Sequence, residues 1–274
     1  TFTATISAGA DKTNSTSGDI TLDNVTAGAL VVTNNGTTTG SDILGNGGGI
    51  LDIAGTSSFT TSVSNADITL DSANEFTGAV TLNTSGTGGH AVVDNGTTAL
   101  DIAASSVGGD LTLTSGATAG ITDSGTVTVG GDLTATTDAS NGVINLGELA
   151  VAGSIALNTH NNGAATVVNA TGIEFAASTV GGALSATATN GHITQTGALD
   201  ITGVTTIVAG TSKNITLTTS TNDFKNDVLI TSGNNVSLVD ANAIDLGAST
   251  VSGTYAVTAT AGGDITDSGV LAIT

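Results

Sequence analysis

The sequence contains no cysteine, no proline, no methionine and no tryptophan. Without cysteine, neither a disulfide framework nor a thiolate metal site can form. Arginine is absent as well, and the three lysines, Lys12, Lys213 and Lys225, stand against 23 acidic residues for a formal charge of −20. Phosphate binding draws its affinity from Lys and Arg, so nucleic acid and anionic membrane surfaces are poor partners for this chain. No run of 18 apolar residues occurs, which argues against membrane insertion through a helix. The opening stretch TFTATISAGADK lacks the basic start and apolar middle of a signal peptide and has no initiator Met. The chain therefore reads as a processed product or a piece of a longer protein. Aromatic residues make up only 2%, so any core has to be narrow and filled by Ala, Val, Ile and Leu, which suits stacked strands.

Glycine is plentiful, at 39 of 274 residues, and Thr, Ser, Asn and Asp fill the intervals between short β-branched runs. Disordered chains are poor in Ile, Val and Leu, whereas this chain is 38% hydrophobic with a positive mean hydropathy, so a folded state is expected. The acidity keeps long bodies of low polarity from sticking together. Asp oxygens also suit hard cations, and calcium is the one cofactor that this composition brings into view.

One stretch organises the rest. LDIAASSVGGDLTLTSGATAGITDSGTVTV (Leu100 to Val129) returns as IEFAASTVGGALSATATNGHITQTGALDI (Ile173 to Ile201) and as IDLGASTVSGTYAVTATAGGDITDSGVLAI (Ile244 to Ile273), with starts 73 and 71 residues apart. Such a period marks a repeat array, in which each unit buries its apolar face against its neighbours. A shorter beat falls on Val25, Ile53, Phe76, Val107, Val129, Val151, Val180, Ile201, Phe224 and Val251. From Phe76 onward one long step alternates with two short steps of 21 to 23 residues. A beat of ~22 residues matches one coil of a parallel β-helix, and segments such as GDLTATT and LAVAGSIALN alternate apolar and polar residues with period two. The expected fold is all-β: a right-handed parallel β-helix of about 11 coils of ~22–30 residues, with a three-coil superrepeat of ~73 residues. Residues 1–274 are expected to form a single continuous array without caps.

The longer steps hold Gly- and Asn-rich segments: TNNGTTTGSDILGNGGG, NTSGTGGHAVVDNG, NTHNNGAATVVN and TSGNNVSLVDAN. Insertions in solenoids collect as loops on one face, so these segments are either a row of surface knobs or longer strands and bulged turns. The two chain ends are complementary. Placing Thr274 before Thr1 gives SGVLAIT-TFTATISAGADKTNSTSGDITLDNV, which follows Thr196 to Phe224 closely. This predicts either continuation in a longer chain or a homo-oligomer built by end-to-end stacking.

No set of residues carries a reaction, and catalytic, cofactor-binding and metal sites are all expected to be absent. Polysaccharide lyases need a base beside a cation, and glycosidases need paired carboxylates in a cleft; here the lysines are scattered. A carbohydrate-binding or carbohydrate-active β-helix is the alternative to a structural role. Phe76 and Phe224 occupy equivalent places with Val151 between them, as inward stacking positions do. Tyr255 takes the place of Leu111 and Leu184, as a core or end contact. His90, His160 and His192 share no ligand spacing. Asp123 and Asp267 lie in two copies of ITDSG whose middle copy has Gln195, and a tight turn explains them without a metal. Asn-x-Ser/Thr triplets at Asn14, Asn24, Asn95 and Asn235 are expected by chance in so Asn- and Thr-rich a chain.

The forms GGDLTLTSGATAGITDSGTVTVGG and NITLTTSTNDFKNDVLI resemble the β-strand repeat regions of giant bacterial exported proteins, of the filamentous-haemagglutinin adhesin type. The resemblance covers nearly the whole chain and rests on structural beats. It implies a right-handed parallel β-helix, an extracellular or cell-surface location, and a role as stalk, adhesin or matrix fibre meeting surface glycans or other cells. That family's secretion domain has no counterpart in these residues.

Overall fold

A computed structural model describes residues 2–7, 18–36 and 40–274, the first of these by backbone. Every described element is a strand and every described pairing between strands is parallel. The protein is a β-solenoid of about 11 turns, with no helix among the described residues. It comprises two compact units, Thr1–Ala139 with Val151–Gly153, and Ser140–Ala150 with Ser154–Thr274.

In the first unit the chain alternates between two sheets. One carries Phe2–Ser7, Leu30–Asn35, Ser57–Ser64, Val80–Ser85, Leu100–Ile102 and Ile121–Asp123 in that order. The other carries Ile20–Leu22, Ile43–Gly45, Ile68–Leu70, Ala91–Asp94, Leu111–Ser115 and Leu133–Ser140. A small third sheet joins Val25–Ala27, Leu51–Ile53 and Glu75–Phe76. The second unit repeats the plan. Ile144–Val151, Ala165–Asn169, Leu184–Ala188, Thr205–Val208, Val228–Ser232, Ile244–Leu246 and Ile265–Asp267 form one sheet. Ser154–His160, Ile173–Phe175, Ile193–Gln195, Ile215–Leu217, Val236–Asp240 and Tyr255–Ala259 form the other.

The strands follow from the period-two pattern. In Leu111–Ser115 the first, third and fifth side chains are buried and the two threonines between them are not, so each turn lines the interior with every second residue. Register then stacks like on like: Leu111 lies on Ala91 and under Leu133, and Ile193 lies between Ile173 and Ile215. Burying a Leu or Ile side chain this way contributes about 1.5–3 kcal/mol. Phe59, Phe76, Phe175 and Phe224 are fully inside, Phe76 and Phe224 as their exchange with Val151 implies. Phe59 and Phe76 meet edge to face at 5.8 Å, a favourable aromatic geometry. Proline would remove a ladder donor, and nearly every backbone N–H in these turns donates along the stack. At some corners successive turns approach so closely that only glycine fits: a Cβ on Gly181 would stand 1.8 Å from the Asn161 carbonyl oxygen.

The solenoid expected from sequence is present, but the superrepeat spans more than three turns. In the second unit, Ile173 stacks under Ile193, Ile193 under Ile215 and Ile215 under Val236, which makes three turns. The next copy of the motif, Ile244–Leu246, comes half a turn later and lies in the other sheet. The superrepeat is therefore three and a half turns. Turn length runs from 18 residues between Val228 and Leu246 to 28 between Phe2 and Leu30.

That half turn accounts for the long steps. TSGNNVSLVDAN holds the strand Val236–Asp240, NTHNNGAATVVN holds Ala165–Asn169, and NTSGTGGHAVVDNG holds Ala91–Asp94. Each is paired on both sides, for example Ala91–Asp94 with Ile68–Leu70 and Leu111–Ser115. These segments are rungs of the ladder rather than knobs. The first such segment likewise contains Ile43–Gly45, paired with Ile20–Leu22 and Ile68–Leu70. The first repeat is shorter: Ile20, Ile43 and Ile68 stack directly, so the two ITL runs are two turns apart.

Candidate functional site

Three recurring polar devices each tie one turn to the next. The first is a column just ahead of one strand in each turn. In the first unit the Asp42 N–H donates to Asp19 Oδ1 at 3.1 Å, Asp67 N–H to Asp42 Oδ1 at 2.8 Å, and His90 N–H to Asp67 Oδ1 at 2.8 Å. The Asp110 N–H donates to His90 Nδ1 at 2.9 Å and the Asp132 N–H to Asp110 Oδ1 at 2.8 Å. In the second unit the column reads His192, Asn214, Asn235 and Thr254, with N–H contacts of 2.8, 3.2 and 3.1 Å in turn. Burial pushes the Asp42 carboxyl upward, with its neighbours Asp19 and Asp67 adding to it and the Asp67 N–H opposing.

The second device is a buried amide that spans three turns. Asn74 Oδ1 accepts from the Leu51 N–H below, while its Nδ2 donates to Leu70 O in its own turn and to Asp94 O above, all at 3.0 Å. Asn222 does the same with Leu199 N–H, Leu217 O and Val239 O. These are the Asn of NEF and NDF, two runs whose acidic and aromatic residues are conspicuous in the sequence while the Asn is not. One step further, Asn95 Oδ1 accepts from Phe76 N–H at 2.7 Å and its Nδ2 donates to Phe76 O, Thr98 O and Ala99 O. At the matching place Asp240 Oδ2 accepts from Phe224 N–H at 2.7 Å and Oδ1 from Asn242 N–H. Asp240 is the one fully buried carboxylate among the described residues. Burial raises its pKa, the two N–H bonds oppose that, and Asp223 adds to it.

The third device is the serine of the AAS and GAS motif. Ser105 Oγ accepts from Leu82 N–H at 3.0 Å and donates to Ala103 O at 2.8 Å. Ser178 and Ser249 make the same two bonds, with Leu157 and Ala176 and with Ile230 and Gly247. Between the pairs Val80↔Ile102 and Asn83↔Ser106 one side has an extra residue. The bulge leaves an N–H without a ladder carbonyl, and the hydroxyl satisfies it.

The residues weighed from sequence are dispersed over this framework. His90 and His192 are members of the column, and His160 ends a strand, its carbonyl receiving the Asn141 and Gly163 N–H groups. Asp123 and Asp267 close the strands Ile121–Asp123 and Ile265–Asp267, in different units. Lys225 pairs with Asp200 and, at 3.5 Å, with Asp223, and the bond to Asp200 holds its ammonium pKa up. Lys12 and Asn14 lie outside the described residues. Among the described residues no three His, Asp or Glu side chains are placed to hold a metal ion together. Among the described residues no helix is long and apolar enough to cross a membrane. Tyr255 sits in the last full strand pair, stacked on Val236. Its buried hydroxyl faces Ser249, and burial pushes the phenol pKa upward while Ser249 opposes that.

A family described as "Repeats of unknown function (DUF5649)" matches residues 9–83, 88–162, 162–231 and 233–274. Its last two boundaries, 162 and 233, precede Ala165–Asn169 and Val236–Asp240, strands of opposite sheets, in keeping with the three-and-a-half-turn unit. No curated protein and no solved structure matches the chain.

Proposed function

Given that the chain belongs to this family of repeats of unknown function, we propose that it is a non-enzymatic structural segment of a bacterial cell-surface or extracellular fibre, a solenoid that extends by adding turns. The observation carrying this reading is where the polar chemistry goes. Asn74, Asn222, Asn95, Ser105 and the Asp column spend their donors and acceptors on the backbone of neighbouring turns. A side chain engaged in this way holds the ladder in register and resists its opening; it is not poised toward a substrate. The resemblance to adhesin repeat regions points to export, with surface glycans or other cells as partners. Antibodies raised against the purified chain should label fibres or the outer surface of intact source cells by immunogold microscopy. Label that appears only after permeabilisation would overturn the surface assignment.

A further inference from the structure

Asparagine followed directly by glycine can rearrange its own covalent structure with water as the only co-reactant, because glycine has no Cβ to shield its backbone nitrogen from the neighbouring side-chain carbonyl. The sequence has six such pairs, headed by Asn35, Asn46, Asn95, Asn141, Asn162 and Asn190. Reaction needs three things together: a side-chain amide free to turn back on the chain, a glycine N–H that no acceptor holds, and room for the glycine backbone to move.

Five of the pairs fail at least one of these. Asn95 is buried with its amide engaged on four backbone groups, and the Gly96 N–H donates to Asp94 Oδ1 at 2.8 Å. Asn35 Oδ1 accepts from the Ser62 hydroxyl, and the Gly36 N–H donates to Asn34 Oδ1. Asn141 Oδ1 accepts from the Asn162 N–H. Asn162 is exposed, but the Gly163 N–H donates to His160 O at 3.0 Å. Asn190 is exposed as well, yet Gly191 is wedged against the preceding turn, where a Cβ would stand 2.2 Å from Gly172 N. Asn46 meets all three conditions. It is exposed in the corner after Ile43–Gly45, and among the described residues neither its side-chain amide nor the Gly47 N–H has a hydrogen-bond partner. A Cβ on Gly47 would meet nothing within 4 Å.

We infer that Asn46 is a self-modification site, at which the folded protein converts asparagine to aspartate and isoaspartate without an enzyme. The Gly47 backbone nitrogen attacks Asn46 Cγ. The new N–Cγ bond closes a five-membered imide, the Cγ–Nδ2 bond breaks, and ammonia leaves with the proton that the Gly47 N–H gave up. Water then opens the imide and returns a proton to the Gly47 nitrogen. Cleavage between that nitrogen and Cγ gives aspartate; cleavage between it and the Asn46 backbone carbonyl carbon gives isoaspartate, in which the chain runs on through the side-chain carbonyl with one extra methylene. Either product adds a negative charge to a corner where Asp23 already packs against Gly49. The strand Ile43–Gly45 ends before the modified residue and is paired with Ile20–Leu22 and Ile68–Leu70, so the ladder persists while the corner lengthens. An exposed isoaspartyl carboxylate is also the kind of group that takes a methyl ester from an isoaspartyl carboxyl methyltransferase.

The test incubates the full chain in heavy-oxygen water at mildly alkaline pH, well below its melting temperature, and maps the incorporated oxygen by mass spectrometry of peptides. Label at Asn46 should lead every other pair and exceed that at Asn95 by at least about tenfold, since Asn95 reacts only when its turn opens. The same chain unfolded in denaturant should react at all six pairs, which shows that the fold, and not the dipeptide, makes the choice. Gly47→Ala fits the open space around that residue; it should keep the melting temperature, slow conversion at Asn46 and leave the other five pairs unchanged. The aged chain should accept methyl groups from an isoaspartyl carboxyl methyltransferase, and the equally aged Gly47→Ala chain far fewer. Label that appears first at Asn190 or at any other pair, or a folded chain in which Asn46 reacts no faster than Asn95, overturns the proposal. Neither result bears on the cell-surface assignment, which the immunogold labelling decides separately.

Discussion

The two units use amide and carboxylate in opposite places. On the open edge the first unit stacks Asp19, Asp42, Asp67, Asp110 and Asp132, where the second has Asn214 and Asn235. In the buried corner the first unit has Asn95, where the second has Asp240. Asp19, Asp42, Asp67, Asp110, Asn214, Asn235, Asn95 and Asp240 each accept a backbone N–H from an adjacent turn, and that shared need is all the fold imposes. The difference lies in what else surrounds the group. On the edge, solvent screens a row of carboxylates, and the charge shortens most of their contacts to 2.8 Å against 3.1–3.2 Å for the amides. In the corner the partners decide. Asn95 faces one N–H and three carbonyls, whereas both oxygens of Asp240 face N–H groups. An amide suits the first and a carboxylate the second.

Exchanging the corner groups should break that match. Asn95→Asp takes its amide donor away from Phe76 O, Thr98 O and Ala99 O, of which Thr98 O keeps the Ser115 hydroxyl, and buries a charge beside them, so a loss of about 3 kcal/mol is expected in chemical denaturation at pH 7. Asp240→Asn turns the bond to Asn242 N–H into a donor against a donor, and removal of a buried charge offsets part of it, for a net loss of about 1 kcal/mol. If both exchanges proved neutral, the corners would be tolerant rather than matched.

A smaller gain is expected inside the second unit. Thr205 points inward between Leu184 and Val228 with its hydroxyl unsatisfied. Thr205→Val keeps the shape and removes the unmet donor, so stability should rise by about 1 kcal/mol, read as a higher melting temperature.

The edge should respond least, and with a defined pH dependence. The Asp42 carboxyl is raised in the fold, so its protonated form is the better tolerated one. Its contribution is fully present below the unfolded carboxylate value and is lost as pH rises through the folded value. Asp42→Asn keeps the acceptor for Asp67 N–H and removes repulsion from Asp19 and Asp67. It should stabilise by about 0.5 kcal/mol at pH 7 after solvent screening, and by nothing near pH 3. Asn214→Asp puts a carboxylate into a column that has no other, and its effect should stay within about 0.5 kcal/mol. A large loss there would show that the second unit's edge is selected against charge.

Much of this architecture was legible. The period-two runs located the strands, and the Phe and Val exchanges at Phe76, Val151 and Phe224 located inward stacking positions, all three of which are buried. The half turn was not legible. Both sheets present the same alternation, so a motif reads identically whichever sheet it enters, and short strands such as VSLVD between Gly and Asn resemble loops. The tying residues were also hidden. Nothing local distinguishes Asn74 from the many other asparagines, although an Asp, His or Asn just before a strand start, as in GDI, ADI and NIT, was a signal available for the column.

By itself, then, the sequence determined that the chain builds parallel strands around a thin core of small aliphatic side chains, without disulfides, and repeats itself about every 73 residues. Those properties follow from composition and from patterns within a few residues. Only the tertiary structure decided which sheet each copy enters and which asparagine, aspartate or serine binds which backbone group. Most of those partners stand 16 to 26 residues away along the chain, and they become neighbours only when the stacked turns settle into one register.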